Sequence, residues 1–481
     1  MKLVISLALL ALFATIATAQ VQTRLIDLRV DHFNPLDRRT FDARYFLNTA
    51  DWFSGGPLFI FVPSRFEDYT EFLTAGAVYE IAHETNGMLA ALEPRYYGES
   101  RPTADTSVEN LQWLTIHQRL ADLAQFIAFI KANYYGASNS RVILWGRGDG
   151  GSIALWARQK YPNLVDGVWA SSAPLNAISQ DSRFMPNLYN TFNSIGGPEC
   201  GEIIAGAFRI MEESIRFRNT SYVDERLNLC TPIQPEIEED VARTFFRVAS
   251  VMGHEFLRNA SYTEVDAACR TMLGLNTPDD PAENDLDAFA RWFIDEYYNS
   301  IDLPCLRNDV IEVFQNTSWD SYSNTGGFRQ DHWLECTQLG MNAVSNEGEN
   351  HPFGWRFEIE TFYHACAVAF DEELITPDFI EESVARTNEF FGGLNPHVYR
   401  AFLTHGEMDP QRHLGPNQDL NAEAPVVVMS LQSFGRDFGS PADTDYIVLH
   451  ETKARARELI IKWIFDSIGE DQQPTIVPIT T

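Results

Sequence analysis

Basic residues are scarce in this chain: 36 lysines and arginines stand against 67 aspartates and glutamates, a formal charge of −31 over 481 residues. That charge repels nucleic acid and anionic membranes, and it keeps a protein in solution through self-repulsion that eases at acidic pH. Long hydrophobic runs are missing beyond the N-terminus, so no later segment offers the ~20 apolar residues a membrane span requires. Cysteine is sparse at six residues, and neither Cys-x-x-Cys nor His-x-x-x-His spacing occurs. A zinc site is therefore disfavoured, and no cofactor or metal is expected. Apolar residues at 45% and aromatics at 12% are present in quantity, enough for a core larger than one small domain needs.

Lys2, an apolar run over 3–17 and the small-residue site Ala17-Thr18-Ala19 read as a cleaved secretory signal, residues 1–19. The mature protein is then expected in the secretory pathway, secreted or lysosomal, where cysteines pair. All six, Cys200, Cys230, Cys269, Cys305, Cys336 and Cys366, lie in one central stretch, and spacing does not choose among their pairings. The sequons at Asn219, Asn259 and Asn316 fall in the same stretch, which suggests a glycosylated, solvent-facing module.

Strand-like runs at 57–62, 88–92, 142–145 and 166–170 alternate with amphipathic segments at 114–135 and 151–161. This alternation predicts a parallel sheet covered by helices on both faces. From 176 to 391 the pattern changes to helices, such as 236–257 and 286–298, joined by acidic connections. Strand-like runs resume at 398–403 and 425–429, and a final helix is expected at 451–468, ahead of a tail at 471–481. The organisation expected is an α/β domain, 20–175 and 392–470, interrupted by a helical cap at 176–391.

The segment Val142-Ile143-Leu144-Trp145-Gly146-Arg147-Gly148-Asp149-Gly150-Gly151 is built like a nucleophile elbow, in which an apolar strand runs into Gly-x-Ser-x-Gly. The flanking glycines are present, but Gly148 stands where the nucleophile belongs. A residue without a side chain cannot attack a carbonyl.

Several segments together resemble the secreted and lysosomal prolyl exopeptidases, the family of prolyl carboxypeptidase, dipeptidyl peptidase II and thymus-specific serine protease. They include Asp31-His32-Phe33-Asn34, Arg95-Tyr96-Tyr97-Gly98-Glu99-Ser100, Lys160-Tyr161-Pro162, Ser171-Ser172-Ala173-Pro174, Trp333-Leu334-Glu335-Cys336-Thr337 and Gly406-Glu407-Met408-Asp409-Pro410. The resemblance implies an α/β hydrolase fold with a large disulfide-linked helical cap inserted in the core. It also implies a Ser, Asp, His triad that cleaves next to proline, the aspartate holding the imidazole in its useful tautomer. Carried over position by position, the serine falls on Gly148 and the next residue, in the oxyanion region, on Asp149. The aspartate survives as Asp409. The histidine turn corresponds to Ser433-Phe434-Gly435-Arg436-Asp437-Phe438, with Phe434 nearest the place of the lost histidine. The family's glycine-rich loop becomes Val62-Pro63-Ser64-Arg65, whose proline lacks an N–H for an oxyanion hole.

The reading favoured is a catalytically inactive homologue, a pseudoenzyme, that keeps a peptide-binding or regulatory role. Its partner would be a peptide or protein terminus, a second copy, or an active relative, with neither nucleic acid nor membrane. The competing reading is an active exopeptidase with a rearranged site that uses Ser152, in Gly-x-Ser-x-Ala, with His413 or His450. Both histidines are expected at the surface, and Ser152 inside a helix. Asp409 is expected to pair with Arg436 or to cap a turn. Arg147-Gly148-Asp149 also spells an integrin-type tripeptide, expected to be fortuitous at the floor of a cleft.

Overall fold

The computed structural model describes residues 21–466 apart from 65–68, 277–278, 280, 302, 309–321, 323–326 and 346–350. The signal segment, the tail, Arg65 and Asn316 lie outside the described residues. Eight strands form one sheet: β1 (Gln22–Arg29), β2 (Thr40–Asn48), β3 (Leu58–Phe61), β4 (Met88–Leu92), β5 (Val142–Arg147), β6 (Gly167–Ser171), β9 (Ala401–Gly406) and β10 (Val426–Met429), in the order β1-β2-β4-β3-β5-β6-β9-β10. β2 pairs antiparallel with β1 and with β4, whereas every pairing from β4 to β10 is parallel. This is the α/β hydrolase fold. β1 and β2 escaped the sequence reading because their polar and apolar residues alternate, as in a sheet covered on one face only.

The inner strands explain themselves. β3, β4 and β6 are buried at every residue, and β5 at all but its last. Helices cover both faces, so these strands read as unbroken apolar runs. Helix Ile116–Asn133 begins at Thr115, whose side chain accepts from the Gln118 N–H, satisfying one of the orphan donors of the first turn. The final helix runs Ile447–Phe465, four residues earlier than expected at its start; helix ends are the least legible part of a periodic pattern.

Between β6 and β9 lie the helices expected of the cap and a two-stranded sheet of β7 (Ile178–Asp181) and β8 (Gly340–Ala343). Two segments expected as single helices continue from α-helix into wider π-helical turns, at Val251–Leu257 and Arg291–Tyr298. This stretch packs in two ways. Phe184, Phe208, Phe245, Phe289 and Trp292 build a core of their own. Trp333, Cys336, Cys366, Ile380 and Phe391 instead join the core of the sheet, where Phe391 stacks on Trp156 at 4.3 Å.

The six cysteines form three disulfides, Cys200–Cys269, Cys230–Cys305 and Cys336–Cys366. All lie within the helical stretch, as expected. Asn219 and Asn259 are exposed there.

Cys200–Cys269 ties helix Pro198–Arg216 to helix Tyr262–Met272 across a separation of 69 residues. A closed loop of that size restricts the unfolded chain by about 4 kcal/mol. Replacing both cysteines by alanine should lower the stability of the helical stretch by about that amount, read as a lower denaturation midpoint. A midpoint equal to wild type would mean that packing alone holds these helices.

Candidate functional site

β5 carries the chain to the rim of the sheet, and Gly148 then turns it with φ +57° and ψ −136°. That backbone geometry is costly for any residue with a Cβ. The Gly148 N–H donates to Ser171 O at 3.0 Å, and helix Asp149–Lys160 begins at once. A Cβ on Gly150 would lie 2.3 Å from Val62 O, so the loop after β3 crosses here at a distance only glycine permits. This is the strand–turn–helix of a nucleophile elbow, with a bare apex.

The space above that apex is occupied. A Cβ on Gly148 would meet Phe434 Cζ at 3.0 Å and Arg258 Nη2 at 3.5 Å. Phe434 belongs to the turn after β10, and Asp437 anchors that turn. Its fully buried carboxylate accepts from Ser171 Oγ at 2.6 Å and Thr404 Oγ1 at 2.5 Å, while burial raises it above the usual carboxylate range. Arg258 comes from the helical stretch and lays its guanidinium 4.0 Å from the centre of the Phe434 ring. Arg147 approaches the same ring at 5.7 Å.

Asp409 follows β9 and is 3% exposed. Its Oδ1 accepts from the Gln411 N–H at 3.0 Å, so it caps a turn, as expected. Burial pushes its carboxyl up, and the charge of Arg258 works against that rise. The expected pairing with Arg436 does not occur: Arg436 is exposed and its charge acts on Glu264 instead. Gly148, Phe434 and Asp409 thus share Arg258 as a neighbour.

The other residues singled out lie apart. Ser152 is 1% exposed inside its helix, and its Oγ donates to Pro174 O at 2.7 Å. His450 is exposed in the first turn of the final helix. His413 overturns the surface expectation. It is 6% exposed, with Nε2 2.6 Å from Asp181 Oδ1 and Nδ1 3.1 Å from Pro410 O. The turn Arg412–Leu414 folds back beneath the helical stretch, a long-range contact with no local signature in sequence.

Asp149 opens the helix and lies 3.4 Å from Arg119 Nη1. Arg119 Nη2 donates to Pro63 O at 3.1 Å and Ser64 O at 3.2 Å, so one buried guanidinium joins the proline-bearing loop to the elbow. Within the tripeptide at 147–149, Gly148 is buried and Arg147 stacks on Phe72 at 5.0 Å, so no exposed loop presents it. Arg119 and Arg258 were missed in sequence because nothing in their local surroundings marks them. They matter through contacts 30 or more positions away.

A profile of the serine carboxypeptidase S28 family matches residues 28–456, most of the chain. The chain belongs to that family. Lysosomal Pro-X carboxypeptidase of Bos taurus is 27% identical over 93% of this chain and 89% of its own. Thymus-specific serine protease of Mus musculus is 25% identical over 91% of this chain and 86% of its own. Among solved structures, VinJ aligns over 92% of this chain and 98% of its own at 13% identity and a TM-score of 0.35, too weak a likeness to carry an argument. None of the described helices of this S28 member is long and apolar enough to cross a membrane.

One buried titratable group lies on the strand that leads to Asp409. His405 of β9 is 1% exposed, and its Nε2 has no hydrogen-bond partner among the described residues. Burial, assisted by the charge of Arg412, pushes the imidazole down to about 4. An unfolded histidine titrates near ~6.5, so folding favours the neutral ring. Its contribution is complete above about pH 6.5 and is lost as pH falls toward about 4, a change of about 3 kcal/mol. The His405→Asn variant should flatten the fall in thermal stability over that window. An unchanged acid limb would remove His405 as its cause.

Proposed function

We propose that this protein is a catalytically inactive member of the serine carboxypeptidase S28 family that acts by binding or regulation in the secretory pathway, in a lysosomal or extracellular setting. The observation that carries the proposal is the elbow itself. Its apex is glycine, and an aromatic ring stands 3.0 Å from the point where a side chain would begin. The position-by-position resemblance puts the serine at 148, the aspartate at 409 and the histidine within the turn 433–438, nearest Phe434. Loss of a nucleophile and its base together removes covalent attack and proton transfer, whatever the rest of the site retains. A peptide or protein terminus, a second copy or an active relative is the partner proposed. The compartment is supported by the names of relatives such as lysosomal Pro-X carboxypeptidase and by a charge of −31, whose self-repulsion eases at acidic pH.

The rearranged-site alternative has less support. Ser152 already donates its hydroxyl to Pro174 O at 2.7 Å, and His413 is engaged with Asp181 at 2.6 Å.

Wild-type protein should show no labelling by a fluorophosphonate probe and no cleavage of peptides carrying an X-Pro bond between about pH 4 and pH 8. Turnover should lie on the order of a millionfold below that of an intact triad enzyme. Gly148→Ser alone should stay unlabelled, whereas Gly148→Ser combined with Phe434→His should gain labelling. Labelling of the wild type that disappears in Ser152→Ala would overturn the proposal in favour of a rearranged peptidase.

A further inference from the structure

Several contacts meet along one seam between the sheet and the helical stretch. Arg258, just beyond the turn Val251–Leu257, stacks over Phe434 at 4.0 Å, with its Nη2 3.5 Å from the space above Gly148. Met408, the neighbour of Asp409, is 3% exposed and packs into the core that the helical stretch builds for itself. Asn187 Nδ2, on helix Phe184–Gly196, donates to Pro410 O at 3.0 Å. His413 Nε2 meets Asp181 Oδ1 of β7 at 2.6 Å. The first contact comes from the helical stretch down onto the elbow, and the second reaches from the sheet up into the helices. The seam is therefore interlocked from both sides.

We infer that the remodelled elbow is an internal lock: Arg258 and Phe434 occupy the space a substrate acyl group would need, and they fasten the helical stretch over the sheet in a closed state. The inference deepens the proposed function, on which it rests for the absence of a substrate at the elbow. A cation over an aromatic face is attracted by the negative face of the ring, and here the half-buried pair links the helical stretch to the turn after β10. The lock turns residues that resemble a catalytic site into a contact that holds the helical stretch in place. The surface formed by the closed helices and sheet is then what a partner meets.

The test is hydrogen exchange on the full-length protein, comparing wild type with Arg258→Met, Phe434→Leu and the double variant. Methionine and leucine keep most of the buried volume but remove the charge and the ring. Amides over 251–258 and 433–438 should exchange about tenfold faster in each single variant, with β3 and β5 unchanged. The double variant should be no faster than the faster single variant, as expected when both substitutions break one interaction. Wild-type rates in both segments would overturn the lock. So would a double variant equal to the product of the singles, or faster exchange spread evenly through β3 and β5. Fluorophosphonate labelling of the wild type reports separately on inactivity, so failure of that reading and failure of the lock are distinguishable.

Discussion

The backbone after β3 passes so near the first turn of helix Asp149–Lys160 that a Cβ on Gly150 would lie 2.3 Å from Val62 O. That crossing fixes where β3 ends, where β5 must turn and how the helix leaves the sheet. Gly146 takes part from the strand side, since a Cβ there would meet the same oxygen at 2.6 Å. Arg119 then reinforces the approach by donating to the two carbonyls just beyond it, those of Pro63 and Ser64. Buried carbonyls need donors, and a guanidinium forked between two of them supplies several at once. The elbow keeps its shape through these contacts, none of which requires a side chain at position 148.

Around this centre, burial of charge is balanced contact by contact. Arg119 sits beside Asp149, and Arg258 acts on Asp409 while covering an aromatic face. Asp437 receives two hydroxyl donors. Buried charge is costly unless it is paired or hydrogen-bonded, so these groups have few alternatives to the positions they hold. Against a surface dominated by carboxylates, the arginines concentrated at the elbow make its floor electrostatically unlike the rest of the molecule.

The inner strands β3 to β6, helix Ile116–Asn133 and the confinement of the disulfides to one region were all legible in the sequence. Each follows from a local signal: an unbroken apolar run, a 3.6-residue period, or the positions of the cysteines. β1 and β2 were not, because their alternating residues give no unbroken apolar run. Of the candidate site, Gly148, Asp409 and Phe434 were singled out along the chain by the family resemblance, with Phe434 placed approximately. It was not legible at Arg119, Arg258 or His413, where the partner lies far away in sequence. His413 was misplaced for that reason, since four residues after Asp409 it looks like any polar turn until the helical stretch folds over it.

By itself the sequence determined the α/β alternation, the glycine-rich turn after β5, the acidic charge and the cysteine-bearing insertion, because each is carried by neighbours or by composition. Tertiary structure alone decided that the insertion divides between a core of its own and the core of the sheet, and that Phe434 and Arg258 converge on the bare apex. Packing brings those groups together across more than half of the chain, and a local pattern does not encode which distant side chain fills a space.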